Sequence, residues 1–98
     1  MSTFTEDEIA KALEELPGWS ADGDAITKTY EFDDFRSALG FMNRAAGPIE
    51  EADHHPEWTN VYGRIDVRLS THEAGNKVTA RDVELAMRME RVARSFLA

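Results

Sequence analysis

Arg64-Ile65-Asp66-Val67-Arg68-Leu69-Ser70-Thr71-His72 is the stretch whose pattern decides the fold. Ile65, Val67 and Leu69 fall on one side, and Arg64, Asp66, Arg68, Ser70 and His72 on the other, as in a strand with one buried face. His72 therefore points away from the apolar face. Just upstream, Gly63 marks either a turn from a preceding strand over residues 59–62 or a bulge in one longer strand.

Outward from this strand the period changes to that of helices. Downstream, Thr79 with Asp82 three residues on predicts the cap of a last helix, with Leu85, Ala86, Met89, Val92, Ala93 and Phe96 on its buried side. Upstream, Asp33 or Asp34 caps a longer helix whose apolar set is Phe35, Ala38, Leu39, Met42, Ala45, Ala46 and Ile49. Gly47-Pro48 predicts a kink or short break there, because proline has no amide donor and its ring crowds the preceding turn. Pro56 biases His55 away from helical geometry, so the helix should end around His54-His55.

Nearer the N-terminus, Asp22-Gly23-Asp24 separates two short strands between Trp19 and Phe32. Ile26, Lys28, Tyr30 and Phe32 alternate there with Thr27, Thr29 and Glu31, and the lysine interrupts an otherwise apolar face. Thr5 and Glu8 form a capping-box pattern, with Phe4 and Ile9 as a hydrophobic staple. They open a first helix carrying Ile9, Leu13 and Leu16 on one face, which Pro17-Gly18 stops. The order is helix, two strands, helix, two strands, helix. Short connections favour antiparallel pairing, so three helices should cover one face of a four-stranded sheet, leaving the other face and the edges open to assembly.

Ninety-eight residues make one domain, and 42% hydrophobic with 31% charged residues is a globular composition. No segment approaches a membrane-spanning apolar run, and the first residues lack the pattern of a signal peptide, so a cytoplasmic location is expected. The absence of cysteine excludes disulfides, thiolate zinc sites and a cysteine nucleophile. A formal net charge of −8 disfavours nucleic acid and anionic membranes as direct ligands.

The candidate acid/base residues are His54, His55 and His72, with Glu50 and Asp53 just upstream of the pair. Glu50 lies four residues before His54, one helical turn away, so its carboxylate can sit beside that imidazole. A neighbouring carboxylate and a helix C-terminus both favour imidazolium, which suits a proton donor near neutral pH. Alternatively the histidines are helix-stop and loop residues without chemistry. A zinc site is a weaker reading, since adjacent histidines diverge and no HExxH pattern is present, so no metal is expected. Trp19 and Trp58 read first as core or interface residues.

The run Ile49-Glu50-Glu51-Ala52-Asp53-His54-His55-Pro56-Glu57-Trp58, then Asn60-Val61-Tyr62, then Leu69-Ser70-Thr71-His72-Glu73, resembles the signature of the pterin-4a-carbinolamine dehydratases. These are also known as dimerization cofactors of a hepatocyte transcription factor. The resemblance extends to Gly18-Trp19-Ser20, Phe32-Asp33-Asp34-Phe35, Gly40-Phe41-Met42 and Arg81-Asp82-Val83-Glu84-Leu85-Ala86, nearly the whole chain. It implies an α+β fold with a four-stranded antiparallel sheet and three helices on one face, assembling as homodimers or homotetramers. It also implies pterin contacts from Asp53, His54, His55, Ser70, Thr71, His72 and Glu73, with Glu50 as a further active-site carboxylate.

The implied reaction removes water from a 4a-hydroxytetrahydropterin to give quinonoid dihydropterin for recycling, without a metal or redox cofactor. His54 and His72 are then the expected principal acid/base pair, with His55 positioning the substrate or serving as an alternate acid. The segment from Glu73 to Thr79 is one residue longer than the usual form, with Lys77 in place of a glycine, which puts the pocket rim in question. A binding module that stabilises a partner's dimer, or an enzyme acting on another pterin, are the rival readings.

Overall fold

The computed structural model describes residues 2–97. Helix α1 (Glu6–Leu13) is followed by strands β1 (Ser20–Asp22) and β2 (Ala25–Glu31) and by helix α2 (Phe35–Ala52). Strands β3 (Glu57–Val61) and β4 (Arg64–Leu69), a short 3₁₀ turn (His72–Ala74) and helix α3 (Ala80–Ala93) complete the chain. The expected order holds, and the sheet is antiparallel throughout in the order β1-β2-β4-β3.

Local signals account for most boundaries. The predicted capping box of α1 forms, with Glu8 N–H donating to Thr5 Oγ1 (3.1 Å) while Glu8 Oε1 accepts from Thr5 N–H (2.8 Å), and the predicted cap of α3 is likewise a capping box of Thr79 and Asp82. Asp34 rather than Asp33 caps α2, accepting from Ser37 N–H at 2.8 Å. That bond holds the Asp34 carboxyl below its usual range. Helix α1 ends at Leu13, before Pro17, and Leu16 reaches the core from the turn that follows. Gly63 belongs to a turn between two strands, not to a bulge, and a Cβ there would lie 2.5 Å from the Phe32 carbonyl oxygen.

Two expectations for α2 are corrected. The helix runs unbroken through Pro48. Part of proline's penalty in a helix is its clash with the Cβ of the residue before it, and Gly47 has no Cβ. Ala45 and Ile49, on either side of Pro48, are both buried and hold the helix on the sheet. The core stripe is Ala38, Phe41, Ala45 and Ile49, whereas Phe35 and Leu39 are 51% and 41% exposed and Ala46 is also outside. Two apolar stripes share this helix, and the one bearing Phe41 packs inward because Phe41 lies in tilted and edge contact with Tyr30, Phe32 and Trp58.

A single cluster joins Ile26, Tyr30, Ile65, Val67 and Leu69 of the sheet with the buried sides of α2 and α3, and Ile9 and Leu13 of α1 pack against it. Lys28 also faces this side. Its ammonium donates to Glu90 Oε2 and to the Pro17 carbonyl, both at 2.8 Å, and lies 4.6 Å from the centre of the Tyr30 ring. Glu90 Oε2 also accepts from Trp19 Nε1 at 3.2 Å and from the Tyr30 hydroxyl. Burial would raise the Glu90 carboxyl, but the bonds from Lys28, Tyr30 and Trp19 outweigh it and leave the group below its usual range. Burial and the same carboxylate push the Tyr30 phenol up. Among the described residues no helix is long and apolar enough to cross a membrane.

Candidate active site

Helix α2 stops on Asp53, which adopts the left-handed conformation (φ 49°). His54 N–H then donates to the Ile49 carbonyl (3.3 Å) and Asp53 N–H to that of Glu50 (3.1 Å), a helix ending more often built on glycine. Holding an aspartate there costs about 1–2 kcal/mol, so the turn must be held from outside. Arg81 does this: its Nη2 donates to the Asp53 carbonyl at 2.6 Å and to that of Ala52 at 3.3 Å.

The turn sends adjacent histidines in different directions. His54 is buried, and its Nε2 lies 2.6 Å from Oδ1 of Asp82, which is fully buried in the first turn of α3. Oδ2 of Asp82 accepts from the Thr71 hydroxyl (2.8 Å) and from Thr79 N–H (2.9 Å). The Thr71 and Thr79 hydroxyls meet at 2.7 Å, and because Thr71 gives its proton to Asp82, Thr79 is the donor between them. No buried side-chain nitrogen or oxygen among the described residues lacks a partner. Asp82 thereby sets the hydrogen on His54 Nε2 and leaves Nδ1 as the other ring nitrogen.

His55 is exposed and lines two small cavities. One, of about 220 Å³, is walled by Ala46, Ile49, Glu50, Pro56 and Trp58 with His55. The other, of about 210 Å³, is walled by Glu57, Arg68, Ser70, His72 and Asn76 with His55. His55 therefore borders both cavities, with Ser70 and His72 in one and Glu50 in the other, at the join between the α2–β3 turn and the end of β4.

Other expected residues sit elsewhere. Glu50 shares a cavity with His55 rather than lying beside His54, because the left-handed Asp53 ends the helical spacing before residue 54. Thr71, expected to contact substrate, is fully buried with its hydroxyl committed to Asp82. It continues the inward face of Ile65, Val67 and Leu69 beyond the end of β4. Asp53 is exposed but lines neither cavity. His72 opens the 3₁₀ turn, with Nδ1 at 3.3 Å from Asn76 Oδ1. Glu73 is exposed, 3.7 Å from Arg81 Nη1. Its own backbone amide, then Arg81 and the nearby histidines, hold its carboxyl below the usual range. In the longer segment Asn76 takes the left-handed conformation and joins the cavity wall, while Lys77 turns out to Asp24 at 2.8 Å.

A sequence profile of the pterin 4 alpha carbinolamine dehydratases matches residues 2–92. A protein of Opitutus terrae that carries the pterin-4-alpha-carbinolamine dehydratase name provisionally is 55% identical over 90 residues, covering 92% of this chain and 93% of that one. The chain belongs to this dehydratase family. A provisionally named relative from Afipia carboxidovorans is 52% identical over 99 residues, 98% of each chain. The crystal structure of a transcriptional coactivator/pterin dehydratase from Brucella melitensis superimposes with a TM-score of 0.88 at 47% identity, over 94% of this chain and 99% of that one. A pterin dehydratase-like RuBisCO assembly factor of the alpha-carboxysome shares the fold at a TM-score of 0.63 and 16% identity, over 76% of this chain and 86% of that one.

A dehydratase of this family acts on a pterin carbinolamine, so its site needs a group to protonate a departing hydroxyl and another to take up a ring proton. His55 and His72 are the accessible imidazoles here. Asp82, Thr79, Arg81, Arg68 and Asn76 were not singled out from the sequence. In sequence Asp82 and Thr79 read as a helix cap, and nothing in a cap pattern shows that its carboxylate also reaches a histidine 28 residues away. Trp19 is a core residue, and Trp58 packs against the core while walling the Glu50 cavity.

Proposed function

We propose that this chain converts a 4a-hydroxytetrahydropterin to quinonoid dihydropterin, in recycling of a tetrahydropterin cofactor, with His55 and His72 as the acid/base pair. The observation that carries the reading is the cavity these two imidazoles share with Ser70. In the reaction the N5 lone pair forms the N5–C4a double bond as the C4a–O bond breaks, and an imidazolium protonates the departing hydroxyl to water. The resulting cation loses a ring proton to an imidazole. Glu50 beyond His55 and Glu57 in the cavity wall place negative charge around that cation.

This assignment moves the exposed role from His54 to His55. His54 becomes a positioning residue: locked on Asp82, it fixes the turn from which His55 projects. Ser70 and Glu73 remain substrate-contact candidates at the rim, and Asp53 contributes through its backbone. The test is turnover of a synthetic 4a-hydroxytetrahydropterin measured against its spontaneous decay. A rate indistinguishable from that decay would leave a binding role as the better account.

We also infer assembly into a homodimer or homotetramer, supported by the exposed Phe35 and Leu39 on α2 and by the edge position of β3.

A further inference from the structure

His54 and His72 are each held by a side chain, but through different ring nitrogens and by groups of different charge. His54 meets the buried carboxylate of Asp82 through Nε2, at 2.6 Å. His72 meets a neutral amide through its other nitrogen, with Nδ1 at 3.3 Å from Oδ1 of Asn76. An amide oxygen only accepts, so the hydrogen of that bond belongs to Nδ1. Nε2 is then the nitrogen of His72 left to exchange a proton in the cavity that His72 and Asn76 share with His55.

We propose that Asn76 is a positioning residue for the dehydration, holding neutral His72 in the Nδ1–H tautomer so that Nε2 acts on the substrate. The inference rests on the reading of His72 as one of the acid/base pair.

The backbone places this amide. Gly75 and Asn76 are both left-handed (φ 76° and 61°) and fold the chain back after the 3₁₀ turn, a conformation that asparagine tolerates better than most residues with a side chain. Asn76 N–H donates to the Thr71 carbonyl at 3.0 Å, and Thr71 N–H donates to the Lys77 carbonyl at 2.8 Å. The residue before His72 is thus clasped by Asn76 and its successor. Both ends of the segment are anchored, since Thr71 is fully buried on Asp82 and the buried Val78 accepts from Phe4 N–H at 2.8 Å. The backbone therefore fixes His72 and Asn76 relative to each other. A 3.3 Å bond between two exposed groups adds little to stability, so what it sets is the state and orientation of the ring.

A neutral acceptor suits a group that must both give and take a proton. The charges around His72 are already mixed: Glu57 of β3 and Arg68 of β4 wall its cavity, with His55 from the α2–β3 turn, and Glu73 follows it at 3.7 Å from Arg81 of α3. A carboxylate in place of Asn76 would favour imidazolium and hold the proton on the ring. The amide orients the imidazole without adding charge. Whether His72 gives its Nε2 proton to the departing hydroxyl or takes the ring proton there, Nδ1 keeps its hydrogen on Asn76.

Wild type, Asn76→Gly and Asn76→Asp are compared in kcat, KM and pH–rate profile on a synthetic 4a-hydroxytetrahydropterin. NMR with isotope-labelled histidine reads which nitrogen of neutral His72 carries the hydrogen, its signals being those missing from His72→Ala. Glycine adopts the left-handed conformation without steric cost, so Asn76→Gly should keep the wild-type urea midpoint. It should nevertheless shift neutral His72 toward the Nε2–H tautomer and lower kcat by roughly tenfold with little change in KM, as expected when a catalytic group is misoriented. Asn76→Asp keeps an acceptor on Nδ1. It should retain the wild-type tautomer and recover activity, with the limb of the profile that belongs to His72 displaced to higher pH, because the added carboxylate favours imidazolium. A wild-type His72 that carries its hydrogen on Nε2 overturns the proposal, as does Asn76→Gly with wild-type kcat and profile. A loss in Asn76→Asp as deep as in Asn76→Gly at every pH overturns it as well. Wild-type turnover no faster than spontaneous decay overturns the dehydratase reading instead, and the tautomer, read without substrate, still decides the bond.

Discussion

His54 and His55 are adjacent in sequence and opposite in role, and one backbone angle separates them. With Asp53 left-handed, His54 turns in to Asp82 and His55 turns out to the cavities. His55→Ala and His72→Ala should therefore each lower kcat by on the order of 10² or more with the fold intact, as expected for loss of a positioned acid or base. Steady-state assays with circular dichroism check this, and wild-type rates in both folded variants would sink the assignment. His54→Ala should instead cost stability, about 1–3 kcal/mol in urea unfolding, because Asp82 keeps its burial and loses a partner. The sequence made this set of residues legible, since all three histidines are at or behind the site. The outward direction of His72 was legible from strand alternation, but those of His54 and His55 were not, because they depend on a left-handed aspartate where helix ends more often use glycine. Thr71 is a milder case: the alternation that sends His72 outward already sends Thr71 inward with Leu69.

At the scale of elements, Arg81 joins three of them. From the start of α3 it binds carbonyls at the end of α2 and reaches Glu73 in the 3₁₀ turn, so one guanidinium spans the segments carrying His55 and His72. Arg81→Lys keeps the charge but loses the planar fork. It should lower kcat by roughly tenfold with little change in urea midpoint, the effect of misplacing catalytic groups by a fraction of an ångström. A fully active lysine variant would reduce Arg81 to a source of charge. Glu90 ties α3 to β2 in the same manner. Its carboxyl lies below the usual range when folded, so the stability it contributes is present above its unfolded value and is lost as pH falls through the lower folded one. The deficit of Glu90→Gln should accordingly be largest near neutral pH and shrink below about pH 4, as read from urea midpoints at both. Neither tie is written in local sequence, because each joins residues distant in the chain. The helices and strands were legible from capping boxes and alternation, whereas the inward side of α2 was not. Two apolar stripes satisfy the helical period equally, and only the aromatic cluster around Phe41 selects between them.

For the whole molecule, the stripe left outside is the more informative one. Phe35 and Leu39 lie one turn apart on α2, 51% and 41% exposed, and the partly buried Met42 and exposed Ala46 continue the line. A chain of 98 residues buries a smaller share of its surface than a larger domain, so an uncovered apolar stripe is a costly feature for a monomer. The sheet adds a second unsatisfied surface, since among the described residues β3 pairs only with β4 and lies at the sheet edge, with Val61 and Tyr62 exposed beside it. Two different surfaces of this kind allow a two-fold dimer through one and a pair of dimers through the other. The net charge of −8 opposes association at long range, so contact must come from apolar burial, and raising the salt concentration should strengthen it by screening that repulsion. Light scattering at micromolar concentration is expected to show at least two copies, with no loss on going from low to physiological salt. Phe35→Glu/Leu39→Glu should lower the assembly state while leaving the circular dichroism spectrum unchanged, because neither side chain belongs to the core cluster. Wild type that is monomeric throughout would refute assembly. An unchanged mass in the double variant would move the interface from α2 to the β3 edge, where Val61→Lys provides the corresponding test.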